Sequence, residues 1–322
     1  MTSGIGPPPA LARLAVAGRD VRLEFDAPFG SRTTYRVGGR ARVSAVVDSP
    51  GGLAAVAEAA AEDGLPMLAM GRGSNMLVSD AGFEGVVVTL GAFAERIVAP
   101  EAGDEPVVVA GGGVLLPVLA RRLVGAGLRG LEWSVGVPGS VGGAVRMNAG
   151  GHGSDMAASL RWAEVADTVG GDVRRWTVDE LGLGFRTSGL GDTHVVVAVG
   201  FGLRWGDADE GRRELEEVVA WRRANQPGGQ NCGSVFVNPV PGRVAAGALI
   251  DGLGLRGFRI GSAEVSPKHA NFIQADPGGS ADDVLSVMEH VRSRVLSETG
   301  HDLRSEVRLI GFGDGRSRPS GR

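Results

Sequence analysis

The chain has almost no cysteine and no long apolar run. Cys232 is the only cysteine among 322 residues, so no disulfide can form within the chain, and we expect a reducing compartment. We interpret Cys232 as buried filler. No apolar stretch is long enough to cross a bilayer, and Pro7, Pro8 and Pro9 stand where a signal peptide would need its apolar core. These absences predict a cytoplasmic protein without a membrane partner.

A strong charge of one sign and aromatic side chains are also lacking. The net charge is −4 and aromatic residues make up 5% of the chain, whereas nucleic-acid binding needs a basic surface or aromatic platforms. We therefore expect no nucleic-acid partner. We also expect a monomer. The histidines lie too far apart for a metal-ligand spacing, which predicts no metal site. They are His152, His194, His269, His290 and His301.

Glycine, in contrast, is abundant, with 54 residues. A glycine-rich segment covers residues 136–151 and contains Pro138, Ser140 and Asn148. Its composition disfavours an ordinary helix or strand because glycine loses much backbone entropy on ordering. It suits a bare backbone that approaches a ligand closely, and consecutive amides in a turn bind anionic oxygen. We predict that this loop holds the phosphates of a dinucleotide, FAD; the alternative is a tight turn between strands.

A second glycine loop follows a predicted strand at residues 65–70. It reads Gly71-Arg72-Gly73-Ser74-Asn75-Met76-Leu77. Met76 replaces the third glycine of a dinucleotide-binding fingerprint, and there is no Walker lysine. A hairpin turn is the alternative interpretation. Together with the central segment, however, the loop predicts two sources of backbone amides for phosphate.

Hydrophobic periodicity predicts alternating strands and helices, and therefore an α+β fold. The predicted strands cover residues 33–39, 41–47, 65–70, 86–90, 107–110, 195–199 and 303–310. The predicted helices cover residues 53–62 behind the N-cap Ser49, 115–124, 207–223, and a last helix that follows a capping box at residues 280–283.

We expect five regions along the chain. Residues 1–20 form a flexible leader, 21–205 the cofactor domain in two lobes, 206–230 a connecting helix and linker, 231–311 a second α+β domain, and 312–322 a flexible tail. The glycine and proline at residues 227–229 support the boundary before the second domain.

Three polar residues stand in unusual surroundings. Arg186 follows an apolar, glycine-rich stretch, Ser234 follows Gly233 before a run typical of a buried strand, and Glu306 alternates with two arginines. Each has an ordinary alternative: a solvated arginine, a serine that begins a strand, and surface charge pairing of small energetic worth. Their spacing alone does not define a site.

Six motifs in order resemble the UDP-N-acetylenolpyruvoylglucosamine reductase family over residues 35–311. They are GRGSNMLV at 71–78, GVPGSVGGA at 136–144 with MNAG at 147–150, GSVF at 233–236, AGALID at 246–251 with GLRG at 254–257, VSPKHANFI at 265–273, and EVRLIG at 306–311. Each motif alone is modest, and six in the same order are specific.

The resemblance implies an FAD-binding domain of the vanillyl-alcohol-oxidase (PCMH) type, followed by a smaller α+β substrate-binding domain that closes over the flavin. It implies non-covalent FAD, NADPH as co-substrate, and reduction of UDP-N-acetylglucosamine enolpyruvate to UDP-N-acetylmuramate in peptidoglycan precursor synthesis. By similarity, reduced FAD delivers hydride to the vinyl carbon, Arg186 and Glu306 stabilise the enolate-like centre, and Ser234 supplies the proton.

The resemblance also assigns binding residues. The cofactor residues are Gly71, Arg72, Gly73, Ser74, Asn75, Met76, Pro138, Gly139, Ser140, Gly142, Gly143, Asn148 and Gly150. The substrate residues are Ser188, Asn238 and Arg256.

The chain departs from the family pattern at three positions. Phe185 replaces a tyrosine before Arg186, His152 replaces a tyrosine after the Asn-Ala-Gly motif, and Asn225 replaces a basic residue. The substrate-domain tyrosine and the insertions of the longer subtype are also absent, which predicts the shorter subtype. Two alternatives remain open: a related FAD oxidoreductase of specialised metabolism with another substrate, and a flavin-binding module without catalysis.

Overall fold

The computed structural model describes residues 6–17, 20–101 and 103–313. The helices are α1 (Pro9–Ala17), α2 (Pro50–Glu62), α3 (Leu116–Gly125), α4 (Val141–Arg146), α5 (Val178–Leu181), α6 (Ala208–Asn225), α7 (Ala246–Gly252) and α8 (Ala281–Thr299). None of the helices in these described residues has the length and apolar character that a membrane crossing needs.

The strands are short and spread along the whole described chain. They are β1 (Val21–Pro28), β2 (Arg40–Val47), β3 (Met67–Ala69), β4 (Met76–Val78), β5 (Phe83–Leu90), β6 (Ile97–Val98), β7 (Val107–Gly111), β8 (Leu128–Arg129), β9 (Gly150–Gly151), β10 (Ser154–Asp155), β11 (Leu160–Asp167), β12 (Val173–Thr177), β13 (His194–Gly202), β14 (Arg204–Trp205), β15 (Arg259–Ile260), β16 (Ala263–Val265), β17 (Ile273–Ala275) and β18 (Arg308–Ile310).

Two compact units divide the chain differently from the predicted domains. The first unit comprises Met1–Ala27, Arg42–Arg72 and Glu84–Ala220, and the second comprises Pro28–Ala41, Gly73–Phe83 and Trp221–Arg322. The second unit therefore includes two segments of the predicted cofactor domain. One reason is that β4 pairs in parallel with β18, with Leu77 opposite Leu309. A pairing between segments so far apart leaves no local signal in the sequence.

The first unit begins with a sheet in the order β1-β2-β5-β3. Strand β3 runs parallel to β5, with Leu68 opposite Val87, and α2 packs its Val56 into the same apolar core. The predicted start of α2 is confirmed: Ser49 Oγ accepts a hydrogen bond from Gly52 N at 2.9 Å.

The predicted leader is corrected at residues 9–17, which form α1. Leu11 is fully buried, and the Asp63 carboxylate accepts hydrogen bonds from Ala10 N at 2.9 Å and Leu11 N at 3.0 Å. A distant carboxylate thus caps the helix, so no capping residue beside α1 announces it. Residues 1–5 and 18–19 of the predicted leader lie outside the described residues.

The larger sheet of the first unit is antiparallel, in the order β12-β11-β13-β7-β6. Its central strand β13 confirms the predicted strand at residues 195–199, and Val199 pairs with Ala110 of β7 and with Ala163 of β11. The predicted helix at residues 115–124 is confirmed as α3, whose Leu119 enters the core on this sheet. This core supports the central glycine segment.

The second unit packs α8 and α7 with a sheet in the order β15-β16-β17. Ser280 Oγ accepts a hydrogen bond from Asp283 N at 3.2 Å, as the predicted capping box requires. The reciprocal bond is replaced, because the Asp283 carboxylate accepts the amide and hydroxyl of Ser262 at 2.8 and 2.7 Å. Phe312 is buried in this core, and residues 314–322 of the predicted tail lie outside the described residues.

Two predicted strands of the second unit are wrong in whole or part. Residues 33–39 form turns, in which Thr33 Oγ1 donates to Gly30 O at 2.8 Å and Arg36 has φ 54°. The strand predicted at 303–310 begins only at Arg308. Ser305 Oγ bonds both the amide and the carbonyl of Val307 at 3.1 Å, and such local side-chain bonds compete with strand pairing.

Candidate active site

The start of the first glycine loop meets the central glycine segment within the first unit, at Gly71 and Ser140. An added Cβ at Gly71 would overlap the hydroxyl oxygen of Ser140 and lie 3.2 Å from its Cβ. Ser140 is buried and caps α4, because its Oγ accepts a hydrogen bond from Gly143 N at 3.3 Å. Glycine at position 71 therefore lets the first loop pass directly against the start of α4.

The prediction that the central glycine segment is a loop throughout is wrong, because the middle of the segment forms α4. Val141 is fully buried on this short helix, and burial plus the Ser140 cap outweighs the entropy cost of the glycines. Gly142 N donates to Gly112 O at 2.8 Å. A Cβ at Gly142 would lie 3.1 Å from that same carbonyl oxygen, so Gly142 serves close packing within the unit.

The backbone amides of residues 71–74 suit an anionic group. None of these four amides donates a hydrogen bond to another described residue. Gly71 and Arg72 are exposed, and Gly73 has φ 59°, a conformation that glycine adopts without strain. Consecutive free amides in a turn form a nest for phosphate oxygen. The donor set therefore fits the diphosphate of FAD.

Other predicted cofactor residues contribute to the fold. Met76 is buried in β4. Gly139 follows Pro138, and its carbonyl accepts Leu116 N at 3.0 Å. Gly150 lies in β9, where a Cβ would lie 2.5 Å from Ser154 O. These residues shape the glycine segments through their backbone.

Asn148 uses its side chain within the first unit. It is buried, with φ 38°. Its Oδ1 accepts Ala157 N at 3.1 Å, and its Nδ2 donates to Gly184 O at 2.9 Å and to Asp155 Oδ2 at 3.2 Å. Both amide hydrogens are thus engaged. This residue, which the resemblance assigns to the cofactor, ties the central glycine segment to the turn that carries Arg186.

Arg186 lies in a tight turn in which Gly184 and Thr187 form a β-bridge. Its guanidinium donates to Gly150 O at 2.8 Å and to Asn148 O at 3.4 Å, and it lies 5.2 Å from the ring centre of Phe185. The structure therefore brings Arg186, Asn148 and Gly150 together. Ser188 Oγ, two residues on, donates to Arg146 O at 2.7 Å.

Left-handed backbone is concentrated here. Asn148, His152 and Arg186 have φ of 38°, 49° and 57°, although none is glycine. Such conformations cost about 1–3 kcal/mol each and persist where the surroundings enforce them, often at functional sites. The strain marks the Asn148–Arg186 region as a candidate site within the first unit.

Ser234 and Glu306 lie on neighbouring segments of the second unit. Glu306 N donates to Val235 O at 2.8 Å, and Val237 N donates to Arg304 O at 2.9 Å. Phe236 and Ser305 form an antiparallel bridge between these bonds. Both Ser234 and Glu306 are half-buried. The structure thus brings two of the three predicted catalytic residues together and places Arg186 in the other unit.

Asn75 links the first glycine loop to Glu306. Its Nδ2 donates to Glu306 O at 2.8 Å, and its own carbonyl accepts Arg308 N at 3.0 Å. Its side-chain amide therefore holds the backbone of a predicted catalytic residue, in addition to any contact that the loop makes with a cofactor.

Cys232 lies two residues before Ser234 and is buried beside Tyr35. Burial raises the pKa of the Cys232 thiol to about 12. Burial, reinforced by Cys232, also raises the pKa of Tyr35 well above its usual value. Both groups stay protonated at neutral pH, in line with the interpretation of Cys232 as buried filler.

The remaining predicted substrate residues make bonds inside the second unit. Asn238 Oδ1 accepts Ala246 N at 3.0 Å at the start of α7. The Arg256 guanidinium donates hydrogen bonds to both carboxylate oxygens of Asp251 and to Pro267 O, the latter at 3.1 Å. Burial, with a further contribution from Arg256, lowers the pKa of His269. Across the described residues, no three His, Cys, Asp or Glu side chains group as metal ligands.

Sequence reasoning did not single out Asn271. It is buried, and both its backbone and its side chain bond the segment directly after Ser234. Its place in the motif at residues 265–273 was the only available signal, since its partners lie 35 residues away in the chain.

Comparisons with known proteins cover nearly the whole chain. A family model described as FAD binding domain matches residues 41–177, and one described as UDP-N-acetylenolpyruvoylglucosamine reductase, C-terminal domain, matches residues 225–310. The UDP-N-acetylenolpyruvoylglucosamine reductase of Heliobacterium modesticaldum is 45% identical over 92% of this chain and 94% of its own length. That of Rubrobacter xylanophilus is 39% identical over 89% and 95%.

A solved structure agrees with these sequence matches. The crystal structure of UDP-N-acetylenolpyruvylglucosamine reductase from Thermus caldophilus has a TM-score of 0.76 and 33% identity, and the match covers 90% of this chain and 98% of that one. The predicted α+β fold, with an FAD-binding domain followed by a second domain, is confirmed.

Proposed function

The chain belongs to the UDP-N-acetylenolpyruvoylglucosamine reductase family, and on that premise we propose that it reduces UDP-N-acetylglucosamine enolpyruvate to UDP-N-acetylmuramate, with NADPH as electron donor. This reaction belongs to peptidoglycan precursor synthesis. The enzyme acts on a UDP-sugar, and we propose that it works as a monomer in the cytoplasm.

The observation that carries the proposal is the pairing of the Ser234 and Glu306 segments through Glu306 N and Val235 O at 2.8 Å. A proton donor and a carboxyl group on adjoining backbone suit a reaction that adds hydrogen across an enolpyruvyl double bond. The free amides at residues 71–74 add support, because they match a diphosphate.

Bound FAD supplies the hydride that adds to the terminal vinyl carbon. Arg186 binds the substrate carboxylate, since a guanidinium fork matches two carboxylate oxygens. Glu306, when it carries a proton, stabilises the negative charge that develops as the hydride adds; one preorganised donor of this kind is worth about 3 kcal/mol. Ser234 Oγ donates its proton to the neighbouring carbon, and water restores the hydroxyl. Hydride and proton together complete the lactyl ether.

Two half-reactions test the proposal. The purified protein should show a flavin spectrum that NADPH bleaches and the enolpyruvyl UDP-sugar restores. Ser234→Ala should keep the bleaching rate and slow the restoration by about 10²–10⁴-fold, the usual worth of a positioned proton donor. Ser297→Ala, which removes an exposed hydroxyl on α8, serves as the control and should match the wild type.

Each contrary outcome points to a different alternative. A protein that takes up no FAD contradicts the proposal altogether. Bleaching by NADPH without restoration by the enolpyruvyl compound supports a flavoenzyme with another substrate. Equal inertness of wild type and Ser234→Ala supports a binding module.

A further inference from the structure

Asn271 is a buried polar residue of the second unit that the proposed chemistry does not use. It is 5% exposed and lies between β16 and β17. Its carbonyl accepts Val235 N at 2.9 Å. Its Oδ1 accepts Phe236 N at 3.0 Å, while its Nδ2 donates to Phe236 O at 2.8 Å. One residue therefore satisfies three of the four backbone polar groups of Val235 and Phe236, the two residues directly after Ser234.

The side chain of Asn271 imitates a neighbouring strand. It offers an acceptor and a donor on one planar group, as a peptide does, and so completes both backbone bonds of Phe236. The segment at residues 235–237 belongs to no strand of the described sheets, so it has no regular ladder to hold it. Buried polar groups without partners are costly, which makes this amide a strong constraint on the segment.

The opposite side of the same segment carries Glu306. Val235 O accepts Glu306 N at 2.8 Å, and Phe236 forms its bridge with Ser305. Residues 235–237 are thus held by Asn271 on one side and by residues 304–306 on the other. Ser234 is covalently the next residue, so the position of its hydroxyl depends on both sides.

The Asn271 amide is itself oriented by its neighbours. Its backbone N–H donates to His269 Nδ1 at 3.2 Å, which fixes the turn from which the side chain reaches Phe236. The orientation with Oδ1 facing Phe236 N and Nδ2 facing Phe236 O satisfies all four groups. Aspartate at this position would keep the acceptor and place a carboxylate oxygen against a carbonyl oxygen.

We propose that Asn271 is a positioning residue for Ser234: it acts on proton delivery through the backbone of Val235 and Phe236 without touching the substrate. This inference rests on the proposed function. Displacement of a reacting group by about 1 Å costs on the order of 10²-fold in rate. The effect belongs to the step that uses the Ser234 proton and to no earlier step.

The test compares Asn271→Asp and Asn271→Ala with wild type, each loaded with FAD. We expect NADPH to reduce the flavin at rates within about twofold of wild type, whereas reoxidation by the enolpyruvyl UDP-sugar slows by about 10–100-fold. The solvent deuterium isotope effect on reoxidation should increase, because proton transfer becomes the slow step. Gln274→Glu is the matched control, since the Gln274 amide also donates to a backbone carbonyl, that of Gly228, at 2.9 Å.

The outcomes separate this inference from the proposed function. Wild type that fails to reoxidise refutes the function, and the inference falls with it. Variants that reoxidise as fast as active wild type overturn the inference alone. Loss of folding, of FAD retention or of NADPH reduction in both variants also overturns it, because Asn271 would then support the unit as a whole. A rate loss in Gln274→Glu equal to that in Asn271→Asp has the same consequence.

Discussion

Gly71→Ala probes the place where the two glycine segments meet. The new Cβ would overlap Ser140 Oγ. Ser140 is buried, and its hydroxyl caps α4 by accepting Gly143 N. The hydroxyl must therefore rotate away and lose the cap, or the loop must move.

The magnitude follows from these two costs. A lost N-cap costs about 1 kcal/mol, and an extra methyl group in a packed site costs about 1–3 kcal/mol. Because either the cap is lost or the loop moves, we expect the free energy of unfolding, measured by urea denaturation, to fall by about 1–3 kcal/mol. Because the same loop carries the amides that fit a diphosphate, the dissociation constant for FAD, measured by flavin fluorescence, should rise at least about tenfold, or 1.4 kcal/mol.

Two variants isolate the contact. Gly151→Ala adds the same methyl group in the central segment where nothing lies within 4 Å, and it should not destabilise the protein. Ser140→Gly removes the clashing hydroxyl and retains most of the capping preference, so Gly71→Ala with Ser140→Gly should be more stable than Gly71→Ala alone. The reasoning is refuted if Gly71→Ala leaves both stability and FAD affinity unchanged.

Three further predictions concern other parts of the chain. Arg129 is buried and forms ion pairs with Glu132, Glu210 and Glu214. Arg129→Met leaves the buried Glu132 carboxylate without its charge partner and should lower the free energy of unfolding, measured in urea, by about 3–5 kcal/mol. A loss under about 1 kcal/mol would contradict this prediction. Burial acts to raise the pKa of Glu132, but backbone amides and the Arg129 guanidinium outweigh it and lower that pKa overall. The stability that this lowered pKa contributes is present above the ordinary glutamate pKa and is lost as pH falls through the lowered value. Wild type should therefore lose more stability in acid than Glu132→Gln, as measured by urea denaturation at a series of pH values. Parallel curves of stability against pH for the two proteins would contradict this prediction. The raised pKa of Cys232, about 12, predicts that an aromatic disulfide reagent labels the thiol only after denaturation, and rapid labelling of folded protein would oppose this.

Local chemistry explains what sequence reasoning predicted correctly. The caps at Ser49 and Ser280 depend on residues three positions away, and β13 follows from its continuous apolar run. The motifs in the central glycine segment, around Ser234 and around Glu306 identified the family because each motif is contiguous. The errors have the opposite origin: α1 is capped by the distant Asp63, and the strand predicted before Arg308 gives way to the local bonds of Ser305.

The sequence by itself determined the family, the apolar strand β13 and the glycine segments, since these depend on which residues follow one another. Only the tertiary structure decided what the polar side chains do. Asn148 holds the Arg186 turn, Asn75 holds Glu306, and Asn271 holds the backbone beside Ser234. A side-chain amide can bond any backbone group that the fold brings within reach, and that choice leaves no pattern in the chain.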